Sequence, residues 1–465
     1  MDRAIAVATD GRGDGQAMEG ESSGGLGWAW YGLGVLLMTT LFALVIRQML
    51  SLIAPGLQAS LHFSDFQIGM LQGLGMAIFA CVASYPMGWL ADRYGRRLLL
   101  AIGVGIWSLA TFFCAFQDSF GGLFAGTIGI AIGEAGLAPI VYAMIPDLFP
   151  ERKRNAANLI FYGGSLFGTG IGMALGGAML QWLAASPASL PAWLAGIDSW
   201  RIAMVAIALP GPLFLLLVAT MPLRAHAAPS TMGAPMGPAV GVDDAAAGFL
   251  PYARAHWRTL GGVFGAIFAM GVAMMAGLVW YPIALPRAFG VDPASVGVGL
   301  GTAVTAATAI GVFLPGMLIG LARRAGGISP IRAASVFFWM APLPALFLPF
   351  AATPFQAYAV AALQGAAGVA GSALMPGILQ DLSPSHLRSR VLSLLGIFNA
   401  LAMALSPLAI GALSGAIAGP RGMLYAIAIV SIPSLVVAAL LVSLARRPFA
   451  ATVRAMGFDV TGNHA

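Results

Sequence analysis

Two residues stand out because their chemistry conflicts with their surroundings. Glu134 sits near the middle of a long apolar run, and of the seventeen acids it alone falls outside tails, loops and predicted helix ends. Arg47 is the single base inside such a run, about six residues or ~9 Å of helical rise from its middle. An isolated charge in hydrocarbon costs several kcal/mol, so it must be neutralised, paired or turned toward a wet cavity. A carboxyl group that exchanges a proton at membrane depth is a proton carrier, whereas a guanidinium fork grips a carboxylate or phosphate at two points. The bland reading of Glu134 is a structural pair or a hydrogen bond to backbone. For Arg47 three readings stand: a site for an anion, a pair with Glu134, or snorkelling to the outer interface. His62, His226, His256, His386 and His464 all fall outside the predicted membrane interior, which leaves Glu134 as the midplane proton candidate.

Other chemistries find no residues to carry them. Catalysis calls for clustered His, Asp or Ser groups at one face, and no metal or nucleophile constellation appears. Cys81 and Cys114 fall inside predicted helices without metal-ligand spacing and read as small buried side chains. No G-x-x-x-x-G-K-[ST] string occurs, so gradients rather than ATP must supply any driving force. No cofactor is expected, and an integral membrane enzyme or a non-transporting sensor is the disfavoured reading.

The elements that position these residues are legible from hydropathy. Of 465 residues 59% are hydrophobic and 9% charged, against about 25% charged in a soluble domain. Twelve apolar runs long enough for a bilayer core recur near 27–54, 66–90, 97–117, 121–148, 154–184, 200–222, 257–285, 293–322, 331–351, 354–381, 389–418 and 421–445. They are continuous rather than alternating, which predicts helices and excludes a barrel. Residues 1–26 lack the pattern of a cleavable signal and are expected to form a disordered cytoplasmic tail. With the amino terminus inside, 19 of the 23 Lys and Arg fall on the cytoplasmic side, as the positive-inside rule requires. The net charge of +6 is therefore a topology signal and not a nucleic-acid signal.

A stretch rich in Pro, Ala, Gly and Met at 223–256 reads as a cytoplasmic linker between a 27–222 bundle and a 257–446 bundle, with 447–465 as a second cytoplasmic tail. The bundles look related. Asp147-Leu148-Phe149-Pro150 followed by Arg154 reappears as Asp381-Leu382-Ser383-Pro384 followed by Arg388, an offset of 234 residues (147 to 381). Gly88-Trp89-Leu90 finds a fainter echo in Gly316-Met317-Leu318, an offset of 228 (88 to 316). Near-equal offsets separated by an even number of helices predict a parallel repeat, two six-helix bundles related by an axis along the membrane normal.

The string Gly88-Trp89-Leu90-Ala91-Asp92-Arg93-Tyr94-Gly95-Arg96-Arg97 resembles the cytoplasmic loop signature of the major facilitator superfamily, G-x-L-a-D-R-x-G-R-[KR]. Gly88 and Gly95 permit close approach and a tight turn, and Asp92 can accept from a helix amino terminus or pair with an Arg. The resemblance implies that Gly88, Asp92, Arg93, Gly95, Arg96 and Arg97 form a latch that holds the cytoplasmic face shut in one state. Ser64-Asp65-Phe66-Gln67-Ile68-Gly69, Gly133-Glu134-Ala135 with Pro139, Ser199-Trp200-Arg201, and Trp280-Tyr281-Pro282 with Arg287 and Gly290 resemble the spinster-like branch, whose eukaryotic members export lysolipids and sphingoid phosphates. Gly164, Gly168, Gly172 and Gly176 form a four-residue stripe expected to be a packing seam. The stripe is similar to the glycine motif of facilitator-family antiporters, without the proline expected there.

Two departures stand beside these matches. Bacterial spinster-like relatives read Asp-Arg in the first helix, where this chain has Ile46 before Arg47, and they carry an Arg seven residues before the Glu, where this chain has Thr127. Losing acid and base together leaves no orphan charge. The resemblance assigns the positions of Arg47, Thr127 and Glu134 to substrate or proton coupling. It implies a monomeric secondary transporter in a bacterial inner membrane, both termini cytoplasmic, moving a small amphipathic or organic anion by alternating access among membrane lipids, with protons as the coupling ion. An uncoupled facilitator is the alternative.

Overall fold

The computed structural model describes residues 14–185, 196–221, 249–323, 327–384 and 387–455. Backbone N–H and C=O groups find no water in a bilayer core, so each apolar run closes its own hydrogen bonds as a helix. Twelve spans result: α1 Gly27–Leu61, α2 Asp65–Ala91, α3 Arg96–Cys114, α4 Phe120–Leu148, α5 Arg152–Ala185, α6 Ser199–Ala219, α7 Trp257–Phe289, α8 Pro293–Ala322, α9 Pro330–Phe350, α10 Pro354–Asp381, α11 Leu394–Ser414 and α12 Gly422–Arg454. They form two pseudo-symmetric bundles of six. Corresponding helices share their irregularities: α4 breaks at Gly136, just past Glu134, and α10 breaks at Leu374.

Three segments differ from expectation. The helix containing α1 already begins at Asp14, inside the tail expected to be disordered, since extending an existing helix adds one hydrogen bond per residue fixed. Phe249–Ala255, expected as linker, is a short helix, and the Tyr252 hydroxyl donates to the Leu382 carbonyl. The helix of α12 continues to Ala455, into the expected tail, because Phe449 and Val453 are buried against the core of the second half. Most of the expected linker, 223–248, lies outside the described residues. Cys114 is buried as expected, but Cys81 is exposed.

The two halves meet at the end of the bundle away from the 88–97 loop, here called the far face. One hydrophobic core runs through the first half and continues across the far-face ends of the second, through Trp280, Leu285, Ile410 and Leu424. A separate core serves the second half toward the loop face. Two seams close the far face. In α5 against α8, a Cβ on Gly177 would lie 2.6 Å from Val298 N, and one on Gly170 would lie 2.6 Å from Thr305 N. In α2 against α11, a Cβ on Gly69 would lie 2.6 Å from the Pro407 carbonyl oxygen, and one on Gly73 would lie 2.6 Å from that of Ala404. Exchanging the halves turns α5 into α11 and α8 into α2, so one seam is the symmetry mate of the other. Toward the loop face Gly316, Gly320 and Gly396 have no atom within 4 Å of a built Cβ, and the halves diverge.

Because the far-face seams are backbone contacts, a side chain on Gly177 has no flexible neighbour to displace. Gly177→Val is expected to shift the population toward a far-face-open state. In a Cys81→Ser, Cys114→Ser background carrying Thr169→Cys, membrane-impermeant thiol reagent added at the far face should label several-fold faster with Gly177→Val. An unchanged rate would show that the seam does not control closure.

Candidate functional site

Arg47 and Glu134 meet. Arg47 Nη2 donates to Glu134 Oε2 at 2.8 Å, joining α1 to α4 just before the break at Gly136. The Glu134 side chain is 7% exposed, and its second oxygen, Oε1, is enclosed and takes no protein hydrogen bond. Arg47 is 31% exposed and faces a cleft between the halves, with Nη1 3.8 Å from Met403 Sδ of α11. Snorkelling is thereby excluded in this conformation: the guanidinium turns inward to the acid and to the other half. Leaving either charge of such a buried pair alone costs about 3–5 kcal/mol, so each side chain depends on the other.

The cleft has two chemically distinct ends. Beside Arg47 it is lined by Gln48, Ser51, Gln72 and Thr169 and offers ≈ 580 Å³ of space, part of it open to solvent. Past Thr169, Met275 and Leu278, which line both parts, it opens into ≈ 890 Å³ bounded by Met274, Leu300, Val304, Ala307 and Val369, with Tyr281 and Gln364 as polar groups. Gln72 sits on a π-helical turn, Leu71–Gly75, inside α2. Such a turn, common at functional sites, aims Gln72 at the cleft while Gly69 and Gly73 stay against α11. Gln72 accepts from Ser51 Oγ at 2.5 Å and keeps its amide nitrogen enclosed without a protein partner. This element was missed from sequence, although a Gln between Gly69 and Gly73 in an apolar run was its signal.

Thr127 is not brought to this site. It is 1% exposed, its hydroxyl donates to the Leu123 carbonyl at 2.8 Å, and its methyl group packs toward Gly75. Ile46 is fully buried in the core. The two positions that depart from the spinster-like pattern therefore do packing work behind the pair.

The loop residues knit the first half together. Gly95, at φ 102°, makes the turn between α2 and α3, and Asp92 lies in the last turn before it. Arg96 donates to the Ala143 carbonyl at 2.7 Å and to Asp147 at 2.5 Å, Arg97 donates to the Met221 carbonyl at 3.0 Å, and Arg93 stacks over Trp89 and Tyr94. Arg154 folds back onto the carbonyls of Pro146 and Phe149, beside Pro150. A Cβ on Gly88 would meet nothing within 4 Å. In the second repeat Asp381 ends α10 and is exposed, Pro384 follows it, and Arg388 opens the helix of α11. Among the described residues these contacts stay within one half. Gly164, Gly168, Gly172 and Gly176 all face α1, against Leu37, Leu41, Leu44, Val45 and Leu52.

What shuts the far face is a clasp. Asp65 accepts from Arg287 Nη2 at 2.7 Å and Nη1 at 3.0 Å, from Gln58 at 2.7 Å and from Ser414 Oγ at 2.8 Å. Arg287 also donates to Gln58 Oε1 at 2.6 Å. A fork on a carboxylate thus ties α1 and α2 to α7 and α11.

Twelve helices in two related bundles around a cleft agree with the family model of the Major Facilitator Superfamily, which matches residues 36–360. The chain belongs to that superfamily. Among its relatives, the sphingosine-1-phosphate transporter SPNS2 of Mus musculus is 29% identical over 235 residues, 49% of this chain and 39% of the relative. An MFS-type efflux pump of Mycolicibacterium smegmatis is 25% identical over 407 residues, 85% of this chain and 86% of the relative. The chain spans less than half the length of the spinster relatives it matches. In fold it is similar to a bacterial homolog of the human lysosomal transporter Spinster, solved inward-facing and unoccupied, with a TM-score of 0.70 at 22% identity over 92% of this chain and 97% of that one. Among the described residues no group of His, Cys, Asp and Glu is placed to hold a metal ion.

The pair generates a double-mutant prediction. Arg47→Met alone is expected to lower unfolding free energy by about 3 kcal/mol, since it strands Glu134. Adding Glu134→Gln should recover most of that loss. Denaturant titration in detergent micelles measures both, and additive losses would show that the two side chains are not coupled.

Proposed function

We propose that this superfamily member is a secondary transporter of an amphipathic organic anion, worked by alternating access and coupled to protons through Glu134. The observation that carries the reading is the Arg47–Glu134 ion pair standing at the polar end of a cleft whose other end is rich in Met and aliphatic side chains. Met-lined apolar space accommodates varied chain shapes, and a few convergent polar groups fix a head group. An anionic head group at Arg47 competes with Glu134 for the same guanidinium. Protonating Glu134 releases Arg47 to the anion, and deprotonating it takes Arg47 back and expels the anion. One relative is by name a transporter of sphingosine-1-phosphate, itself a single-chain amphipathic anion, which supports a lysolipid-like cargo.

Alternation follows from the same arrangement. The far face is held by the Asp65–Arg287 clasp and two backbone seams, while the halves part toward the loop face. With the positively charged side cytoplasmic, this is an inward-open state. Reaching the outward-open state breaks the clasp and brings the 88–97 loop against the second half, where its bases can act as a latch. Rocking of one parallel repeat on the other supplies the motion.

Proteoliposomes test the coupling. With a lysophosphatidate as probe, Glu134→Gln is expected to abolish accumulation driven by an imposed pH gradient and to retain exchange of labelled for unlabelled substrate. Gradient-driven accumulation that survives in Glu134→Gln would remove the coupling role. Equal uptake by the unmodified protein with and without a gradient would establish the uncoupled facilitator instead.

A further inference from the structure

Arg446, on α12, differs in its partners from the ion-paired arginines and from Arg97 and Arg154, which donate to backbone carbonyls. Arg47, Arg96, Arg201 and Arg287 each pair with a carboxylate. Arg446 is also partly buried, but its partners are hydroxyls: Nη2 donates to Ser335 Oγ and, at 3.4 Å, to Ser443 Oγ. The two hydroxyls share a hydrogen bond of 2.8 Å, and Trp339 Nε1 donates to Ser443 Oγ at 3.0 Å. Ser335 is fully buried, and Arg446 Nε is enclosed with no protein partner. Among the described residues no carboxylate lies within ion-pair distance of Arg446, so none of them compensates its charge, and the cluster has an excess of donors.

Its location says what faces that charge. Leu440 and Leu444 on α12 and Val336 and Met340 on α9, each within about a turn of the cluster, are exposed. Exposed aliphatic side chains on a membrane helix face acyl chains, so this flank of α9 and α12 looks into lipid. Ser335 lies five residues from the start of α9, about 7.5 Å of rise from its loop-face end. That depth is the boundary between head groups and acyl chains, where a Trp such as Trp339 is favoured. The next residue, Arg447, is exposed and free to snorkel. Arg446 is instead held by Ser335 and Ser443 in the seam between two lipid-facing helices.

We propose that Arg446, Ser335, Ser443 and Trp339 form a binding site for the phosphate of an anionic phospholipid of the loop-face leaflet. The lipid phosphate neutralises Arg446 and accepts from the guanidinium edge and a serine hydroxyl, while the glycerol region lies over Trp339 and the acyl chains follow Leu444 and Met340. Basic pockets between membrane helices are suited to such head groups. The site stands on the outer flank of the second half and does not depend on what the central cleft carries.

The full-length chain, delipidated in a neutral detergent, provides the test. Phosphatidylglycerol and phosphatidylcholine with the same acyl chains are titrated, and retained lipid is counted by native mass spectrometry alongside thermal melting. The unmodified protein is expected to retain phosphatidylglycerol several-fold over phosphatidylcholine and to melt higher with it. Arg446→Gln should lose that preference, and Arg447→Gln, an equal change of charge one residue away, should keep it. If Arg446→Gln does not fold, the double variant Ser443→Ala, Trp339→Phe leaves the charge in place and should show a reduced preference. An undiminished preference in Arg446→Gln, or in that double variant where Arg446→Gln does not fold, would overturn the assignment. So would an equal rise in melting temperature with inorganic phosphate, which would make the site one for a soluble anion.

Discussion

The cost of holding a charge in hydrocarbon governs this molecule. Among the described residues it leaves one acid near the middle of a span and obliges it to find a base, so Glu134 and Arg47 tie α1 to α4 close to the break in α4. The pair is an economical device because its members are unequal. Glu134 can be neutralised by a proton, while a guanidinium stays charged in a protein and must find another anion once the acid lets go. Anything that competes for Arg47 is therefore linked to the protonation of Glu134.

A second constraint, close backbone contact, decides where the halves join. Gly69, Gly73, Gly170, Gly177, Gly297 and Gly301 let α2 meet α11 and α5 meet α8 without intervening side chains, and the Asp65–Arg287 clasp locks the same end. Contacts so tight are made or broken as units and do not deform gradually, which favours discrete states over a continuum. The halves share a core at the far face and separate toward the loop face, so the cleft beside Arg47 opens in one direction.

Much of the fold was legible in the sequence because hydropathy, not propensity, sets membrane spans: all twelve fell close to the apolar runs, and the D-L-x-P repeat announced the two bundles. Arg47 and Glu134 were legible for the same reason, as charges out of place. Rotation about a helix axis was not legible, because helices apolar on all faces give no periodic signal to say which side packs. Thus Thr127 was aimed at the site and instead packs behind it, Cys81 was placed inside and is exposed, and Gly170 and Gly177 went unread beside the more regular stripe of Gly164 to Gly176. The π-turn that presents Gln72 and the clasp of Asp65 with Arg287 join residues through geometry that spacing alone does not encode.

The claim on which the rest turns is that anion binding at Arg47 and proton binding at Glu134 are one event. Isothermal titration calorimetry of a lysophosphatidate into the detergent-solubilised protein, repeated in buffers of different ionisation enthalpy, measures it directly. Net proton uptake on binding near neutral pH, absent from Glu134→Gln, is the predicted result; binding to the unmodified protein with no proton uptake would contradict it.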